Sequence, residues 1–212
     1  IDIDSSTLVD LSKKDIKKQQ KLNYKVCAKL TQFIRQIQPK GIEVSVGGEI
    51  GEVGHQNSTP EDFRAFMAGF KERLRKGRVG ISKISIQTGT SHGGVVLPDG
   101  TVAQAKLDFD ALKIISEIAR KEYGLGGAVQ HGASTLPDEA FHKFAETETC
   151  EVHLATGFQN ILFESKNFPA DLRNRIHEWV KVNAREEKKE GETDEQFFYK
   201  ARKKELGQFK KE

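Results

Sequence analysis

Long apolar runs are missing from this chain. No stretch approaches the roughly 20 consecutive apolar residues that a bilayer-spanning helix requires, and the first residues show no basic-then-apolar leader pattern, so attachment to a membrane is not expected. Cysteine is scarce. Cys27 and Cys150 have no CxxC spacing and read as ordinary free thiols of a reducing, cytoplasmic compartment. Charge of one sign is lacking too: 34 Lys and Arg stand against 31 Asp and Glu, a formal net charge of +3. Basic blocks are interleaved with glutamates, so a polyanion such as nucleic acid is not an expected partner. Methionine occurs once, at Met67, and the chain opens on Ile1, which reads as a piece of a longer protein.

What is present is enough for one domain. A chain of 212 residues can bury roughly 70% of its unfolded surface. Strand-like runs alternate with helix-like runs, the pattern of a parallel sheet with helical crossovers. The expected strands are residues 6–10 (STLVD), 42–46 (IEVSV), 82–86 (SKISI), 127–131 (GAVQH) and 150–154 (CEVHL). Helices are expected from Lys13 to Ile37, from Pro60 to Lys76 behind Thr59 with Asp62 at the capping-box position, from Asp110 to Tyr123 before Gly124, and from Pro137 to Phe144 behind Thr135. Two more, Pro169–Arg185 and Thr193–Leu206, flank a mixed-charge linker, EEKKEGETDE, read as a solvated turn. Residues 1–165 are expected to form the sheet domain and 166–212 a helical extension.

Unusual polar residues fall where each strand ends: Asp10, Glu49, His92, His131, and His153 with Thr156. In a parallel β/α array those ends share one rim, where the active sites of such folds lie. QTGTSHGGVV and AVQHGASTLPDE each place a histidine at a strand end and follow it with glycine, which lets a bound group approach the backbone. A divalent metal wants neutral imidazoles with open positions left for substrate. One such histidine is more often a structural hydrogen-bonder; two in matching contexts favour a metal. HGAS and ATG also fit phosphate held at helix N-termini, with simple tight turns as the alternative for each loop alone. Asp10 and Glu49 fit a cation or the orientation of a histidine ligand. His55, His142 and His177 read as surface residues, and Phe63, Phe66 and Phe70 as core.

Taken together, SSTLVDLS, GGEIGEVG, ISIQTGTSHGGV, AVQHGASTLPDE and EVHLATGFQN resemble the class II, metal-dependent fructose-bisphosphate aldolases and their tagatose-bisphosphate relatives, from about Ser5 to Phe163. The resemblance implies a (β/α)8 TIM barrel, here its fourth to eighth strands, and an enzyme of glycolysis and gluconeogenesis. Zn2+, or another divalent ion, would polarise the dihydroxyacetone phosphate part of a ketose bisphosphate while the C3–C4 bond breaks. It implies metal ligation by His92 and His131, with Asp10 and Glu49 near the metal. It also implies substrate binding by Gly93, Gly132, Ala133, Ser134, His153, Leu154, Ala155 and Thr156, and assembly as a homo-oligomer.

The family's third zinc histidine and its neighbouring aspartate lie on the third barrel strand, and no Asp-His pair occurs in this chain. The catalytic acid-base residue is therefore unassigned here, with Glu52 as a substitute in the loop GEVGHQNST, where Asn57 stands near the expected acid. His153 and Ala155 stand where many members have Asn and Asp. The leading reading is a zinc-dependent aldolase acting on fructose 1,6-bisphosphate. The alternatives are a tagatose-bisphosphate aldolase and a non-catalytic barrel subunit of such an enzyme.

Overall fold

The computed structural model describes residues 1–51, 56–89, 95–97, 102–103 and 107–204. Among these, five strands form one all-parallel sheet in the order β1 (Asp2–Ile3), β2 (Gly47–Glu49), β3 (Lys83–Ile86), β6 (Ala128–Gln130), β7 (Glu151–Val152). A short antiparallel pair, β4 (Val95–Val96) and β5 (Val102–Ala103), stands apart. The α/β architecture with five parallel strands is the one the sequence pattern predicts. No helix among the described residues is long and apolar enough to cross a membrane.

Three strands lie where the periodicity puts them, and two do not. Residues 6–10 are not a strand: β1 sits earlier, and Ser6–Leu8 is a 3-10 turn. Asp4 Oδ1 accepts from the Ser6 N–H and hydroxyl, and Asp10 Oδ1 does the same for Ser12. Such local bonds offer the backbone an alternative to a ladder. Residues 42–46 lead into β2 rather than forming it. Arg35, buried on α2 (Lys21–Ile37), captures the carbonyls of Val44, Val79 and Gly80, so these are held by a guanidinium instead of a neighbouring strand.

The helices follow their caps. The stretch expected to run from Lys13 to Ile37 is split into α1 (Ile16–Gln19) and α2, joined at Gln20. The break turns two amides inward: Gln20 Nε2 donates to the Ile50 carbonyl at 3.1 Å and Asn23 Nδ2 to the Glu49 carbonyl at 2.7 Å. Helix α3 (Pro60–Arg73) opens with the Thr59–Asp62 capping box, and α4 (Phe109–Tyr123) stops at Gly124, which takes the left-handed φ of 68° that glycine tolerates best. The region from Pro137 to Phe144 is a 3-10 turn at Asp138–Ala140 followed by α5 (His142–Glu146). Helices α6 (Thr156–Glu164), α7 (Ala170–Asn183) and α8 (Asp194–Ala201) complete the chain's described part.

Strand alternation divides the sheet into two unlike faces. Ile3, Gly48, Ile50, Ile84, Ile86 and Ala128 lie on the face covered by α2, α3 and α4, against Phe63, Phe66, Phe70, Leu112 and Ile115. The phenylalanines are core, as expected. On the opposite face lie Asp2, Asp4, Glu49, Lys83, Ser85, His131, Glu151 and His153. The Gly47–Gly48 doublet serves both faces: a Cβ at Gly48 would press on Phe66 and Cys27, and one at Gly47 would lie 2.2 Å from Asp2 Oδ1. A second apolar cluster, Phe163, Leu172, Ile176, Val180 and Phe197, joins α6, α7 and α8. His142 is exposed as expected, but His177 is half-buried, its ring stacked on Phe198 at 4.1 Å between centroids.

The sheet curls strongly toward its polar face. Edge strands four positions apart in a flat sheet are separated by about 19 Å, yet His153 Nε2, just past one edge strand, lies 3.8 Å from Asp2 Oδ2 on the other. Curvature of this degree turns the polar face into a trough.

Two measurements check the core. Phe66→Ala is expected to lower unfolding stability by about 3–5 kcal/mol, read from the urea midpoint. Cys27 is fully buried, and burial pushes its thiol up to about 12, whereas Cys150 is exposed. A thiol reagent is therefore expected to label Cys150 in the native protein and Cys27 only on unfolding.

Candidate functional site

The trough has an upper rim, at the strand C-termini, and a floor. At the rim, Glu49 ends β2 and His131 follows β6. The Glu49 carbonyl is fixed from behind by Asn23, which itself receives the Ser5 hydroxyl on its Oδ1 at 2.6 Å. Glu49 as a whole is 6% exposed, and its Oε1 lies 3.7 Å from His131 Nδ1. His131 Nε2 lies 3.3 Å from the Ser85 hydroxyl. Burial, and then the nearby charges of Asp4 and Asp2, push Glu49 up to about 8. A carboxylate so raised is one whose charge the surroundings do not neutralise.

The floor is different. Lys83, 8% exposed at its side chain, puts its ammonium 2.5 Å from Glu151 Oε2 and 3.2 Å from Asp2 Oδ1. Burial works against the Lys83 charge, but its bonds to Glu151 and Asp2 outweigh that and hold it above the ordinary lysine value. The same ammonium, and then His153, hold Glu151 below its ordinary value. His153 Nε2 meets Glu151 Oε2 at 3.0 Å. Asp2, Glu151 and His153 bring potential ligand atoms within 4.8 Å of one another, but an internal ammonium already sits among them. Glu49 has no lysine or arginine in that role among the described residues.

The structure brings together some of the residues expected at the site. Glu49, His131 and His153 converge, and the rings of His131 and His153 stack at 4.7 Å with 24° between planes. Asp10 does not end a strand: its carboxylate, nearly half exposed, is held low by the Ser12 hydroxyl and then Lys13. The carboxylates beside Glu49 are Asp2 and Asp4, because β1 begins earlier than expected. Gly132 takes a left-handed φ of 73° to open the 3-10 turn of Ala133–Thr135. A Cβ at Gly157 would lie 3.4 Å from Ser134, so the HGAS turn packs against the start of α6, where Ala155 precedes Thr156. Leu154 packs on the core. His92, Gly93 and Glu52 lie outside the described residues, as does His55.

Asp2, Asp4, Lys83, Ser85 and Glu151 were not singled out by strand-end reasoning. Their signal is alternation: IDID, KIS and EVH each repeat a polar residue every second position, which marks a polar sheet face.

The Lys83 clamp gives a signed expectation. Lys83→Met leaves two carboxylates facing one another and is expected to cost about 1–3 kcal/mol, less than a fully buried pair because the Asp2 and Glu151 side chains are 32% and 39% exposed. Since Lys83 depresses Glu151 below its ordinary 4.5, that stabilisation is complete above that pH and is lost as pH falls through the lower, folded-state value. Urea midpoints of parent and variant should therefore converge on acidification.

The family model described as "Fructose-bisphosphate aldolase class-II" matches residues 3–206. A subunit of D-tagatose-1,6-bisphosphate aldolase, GatY of Klebsiella oxytoca, is 34% identical over 116 residues, covering 55% of this chain and 33% of that protein. Among solved structures, a Coccidioides immitis protein assigned as a fructose-1,6-biphosphate aldolase aligns over 89% of this chain and 58% of its own, at 18% identity and a TM-score of 0.45. The YdjI aldolase of Escherichia coli K12 aligns over 99% of this chain and 57% of its own, at 17% identity and a TM-score of 0.43. The chain thus spans less than two thirds of each of these relatives. With the match running almost from end to end of a curled parallel α/β sheet, this chain belongs to the class II fructose-bisphosphate aldolase family.

Proposed function

We propose that the parent protein is a lyase that cleaves and forms a ketose 1,6-bisphosphate at the rim of the trough, with Glu49 and His131 holding a divalent cation, zinc in the first instance. The observation that carries this is the buried Glu49 carboxylate, crowded by Asp4 and Asp2 and 3.7 Å from an imidazole nitrogen, with no lysine or arginine paired to it among the described residues. One carboxylate and one imidazole are a fitting donor pair for zinc or a neighbouring first-row ion. The floor acids do not fit equally well, since Lys83 already neutralises them.

When bound, the ion supplies the Lewis acidity that polarises the ketose carbonyl and takes up the charge released as the C3–C4 bond breaks. The chain's own residues do the rest. Ser85 meets Nε2 of His131, the ring nitrogen not turned to Glu49, and helps to orient the ring. Gly132, Ala133 and Ser134, with Thr156 at the start of α6, form the phosphate cradle of this proposal, where backbone N–H groups and the helix N-terminus favour an anion. Leu154 and Ala155 wall this cradle. His92 and Gly93 keep the ligand and substrate roles that the sequence assigns them, and Asp10, remote in its contacts, is given none. The residue that moves the substrate proton is unassigned, with Glu52 as the substitute from this chain. The free thiols fit a cytoplasmic protein, and a homo-oligomer is the proposed assembly.

Fructose and tagatose bisphosphates differ in configuration at C4. The similarity to a tagatose-bisphosphate aldolase subunit favours the tagatose epimer as the alternative substrate, and a non-catalytic subunit as the second reading. The experiment is metal analysis and aldol cleavage of the intact gene product with each epimer. Glu49→Ala, His131→Ala and His92→Ala are each expected to lower metal affinity and kcat/KM by at least about 100-fold, above the range typical of groups that only support a ligand. Turnover unchanged in either of the first two would remove the proposed site, and a metal-free, inactive parent would favour the subunit reading.

A further inference from the structure

We infer that His153 is a positioning residue for His131: its ring is the fixed platform on which the His131 imidazole lies, so that a ring nitrogen stays turned toward Glu49. The inference rests on the reading of Glu49 and His131 as metal ligands and extends it to the residue beside them on the polar face.

The geometry is that of a cross-strand pair. Gln130 and Val152 are partners in the ladder, which sets the next residues, His131 and His153, side by side on the polar face. Their rings lie 4.7 Å apart and 24° from parallel, within the range in which aromatic stacks are favourable. A stack orients a ring only if the other ring is itself held, and His153 is held at both ends. Its backbone N–H donates to the Gln130 carbonyl at 2.9 Å, and its Nε2 meets Glu151 Oε2 at 3.0 Å. Glu151 receives the Lys83 ammonium at 2.5 Å, and Lys83 reaches Asp2 at 3.2 Å. The ring plane of His153 is therefore anchored through a buried cation to both edges of the sheet.

The stack adds to the contacts of His131 with Ser85 at 3.3 Å and Glu49 at 3.7 Å, both of which are longer than a well-formed hydrogen bond. His153 does not compete for the rim cation through Nε2, which is engaged with Glu151 and faces Asp2 at 3.8 Å. An asparagine here would keep a polar group but provide no ring. EVH at 151–153 is thus read as one device, the glutamate fixing the imidazole and the imidazole fixing its neighbour.

The test is Co(II) binding to the 212-residue chain, measured by competition with a chelator and by the visible absorption of the bound ion. His153→Ala and His153→Asn are expected to weaken Co(II) about 10-fold or more, in the range known for residues that orient ligands, and to shift the visible band. His153→Phe, which restores a ring held by its backbone bond but not the bond to Glu151, is expected to bind Co(II) more tightly than His153→Asn and less tightly than the parent. Lys83→Met, which releases Glu151, is expected to lose affinity to an intermediate degree. Far-UV circular dichroism checks folding, and the Asn–Phe comparison carries the test if the alanine variant does not fold. An alanine or asparagine variant with parental affinity and spectrum would overturn the inference, as would a phenylalanine variant no better than asparagine. A parent chain that binds no Co(II) would overturn the metal reading itself and this inference with it.

Discussion

One ammonium organises the polar half of this protein. Lys83 rises from the central strand and reaches Asp2 on one edge strand and Glu151 on the other, which is possible only because the sheet curls into a trough. The clamp explains the neighbouring sequence. Gly47 has no side chain because Asp2 and Lys83 occupy the space where one would stand. Glu151 stays charged because it is paired, and His153 is steady because Glu151 is.

The same clamp sets the floor carboxylates apart from the one at the rim. Two acids on the floor share Lys83, while Glu49 at the rim feels Asp4 and Asp2 with no lysine or arginine beside it among the described residues, and rises to about 8. Buried charge without a partner is costly, and proteins resolve it by protonation, pairing or a bound cation. An imidazole 3.7 Å away makes the third outcome chemically useful. Polar alternation on one face and apolar alternation on the other thus divide the labour: the helix side supplies stability, and the trough supplies charge that is balanced on the floor and unbalanced at the rim.

Positioning of the rim depends on groups remote from any substrate. Gln20 and Asn23 project from the α1–α2 junction to hold the carbonyls of Ile50 and Glu49 just where β2 ends, and the HGAS turn is braced by the close approach of Gly157 to Ser134.

The amino-acid sequence by itself determined the parallel α/β class, the phenylalanine core, the capped ends of α3 and α4, and the placing of Glu49 and His131 at strand ends, because periodicity, capping and glycine are local signals. Only the tertiary structure decided that Asp2 and Asp4, rather than Asp10, stand beside Glu49. Local side-chain bonds at Ser6 and Ser12 outcompeted a ladder there, and strand register cannot be read from one strand alone. It also decided the ring stack and the Lys83 clamp, which join residues as far as 149 positions apart in the chain, Asp2 to Glu151. Curvature of a sheet is a property of all its strands together, and no single segment encodes which side chains it will bring into contact.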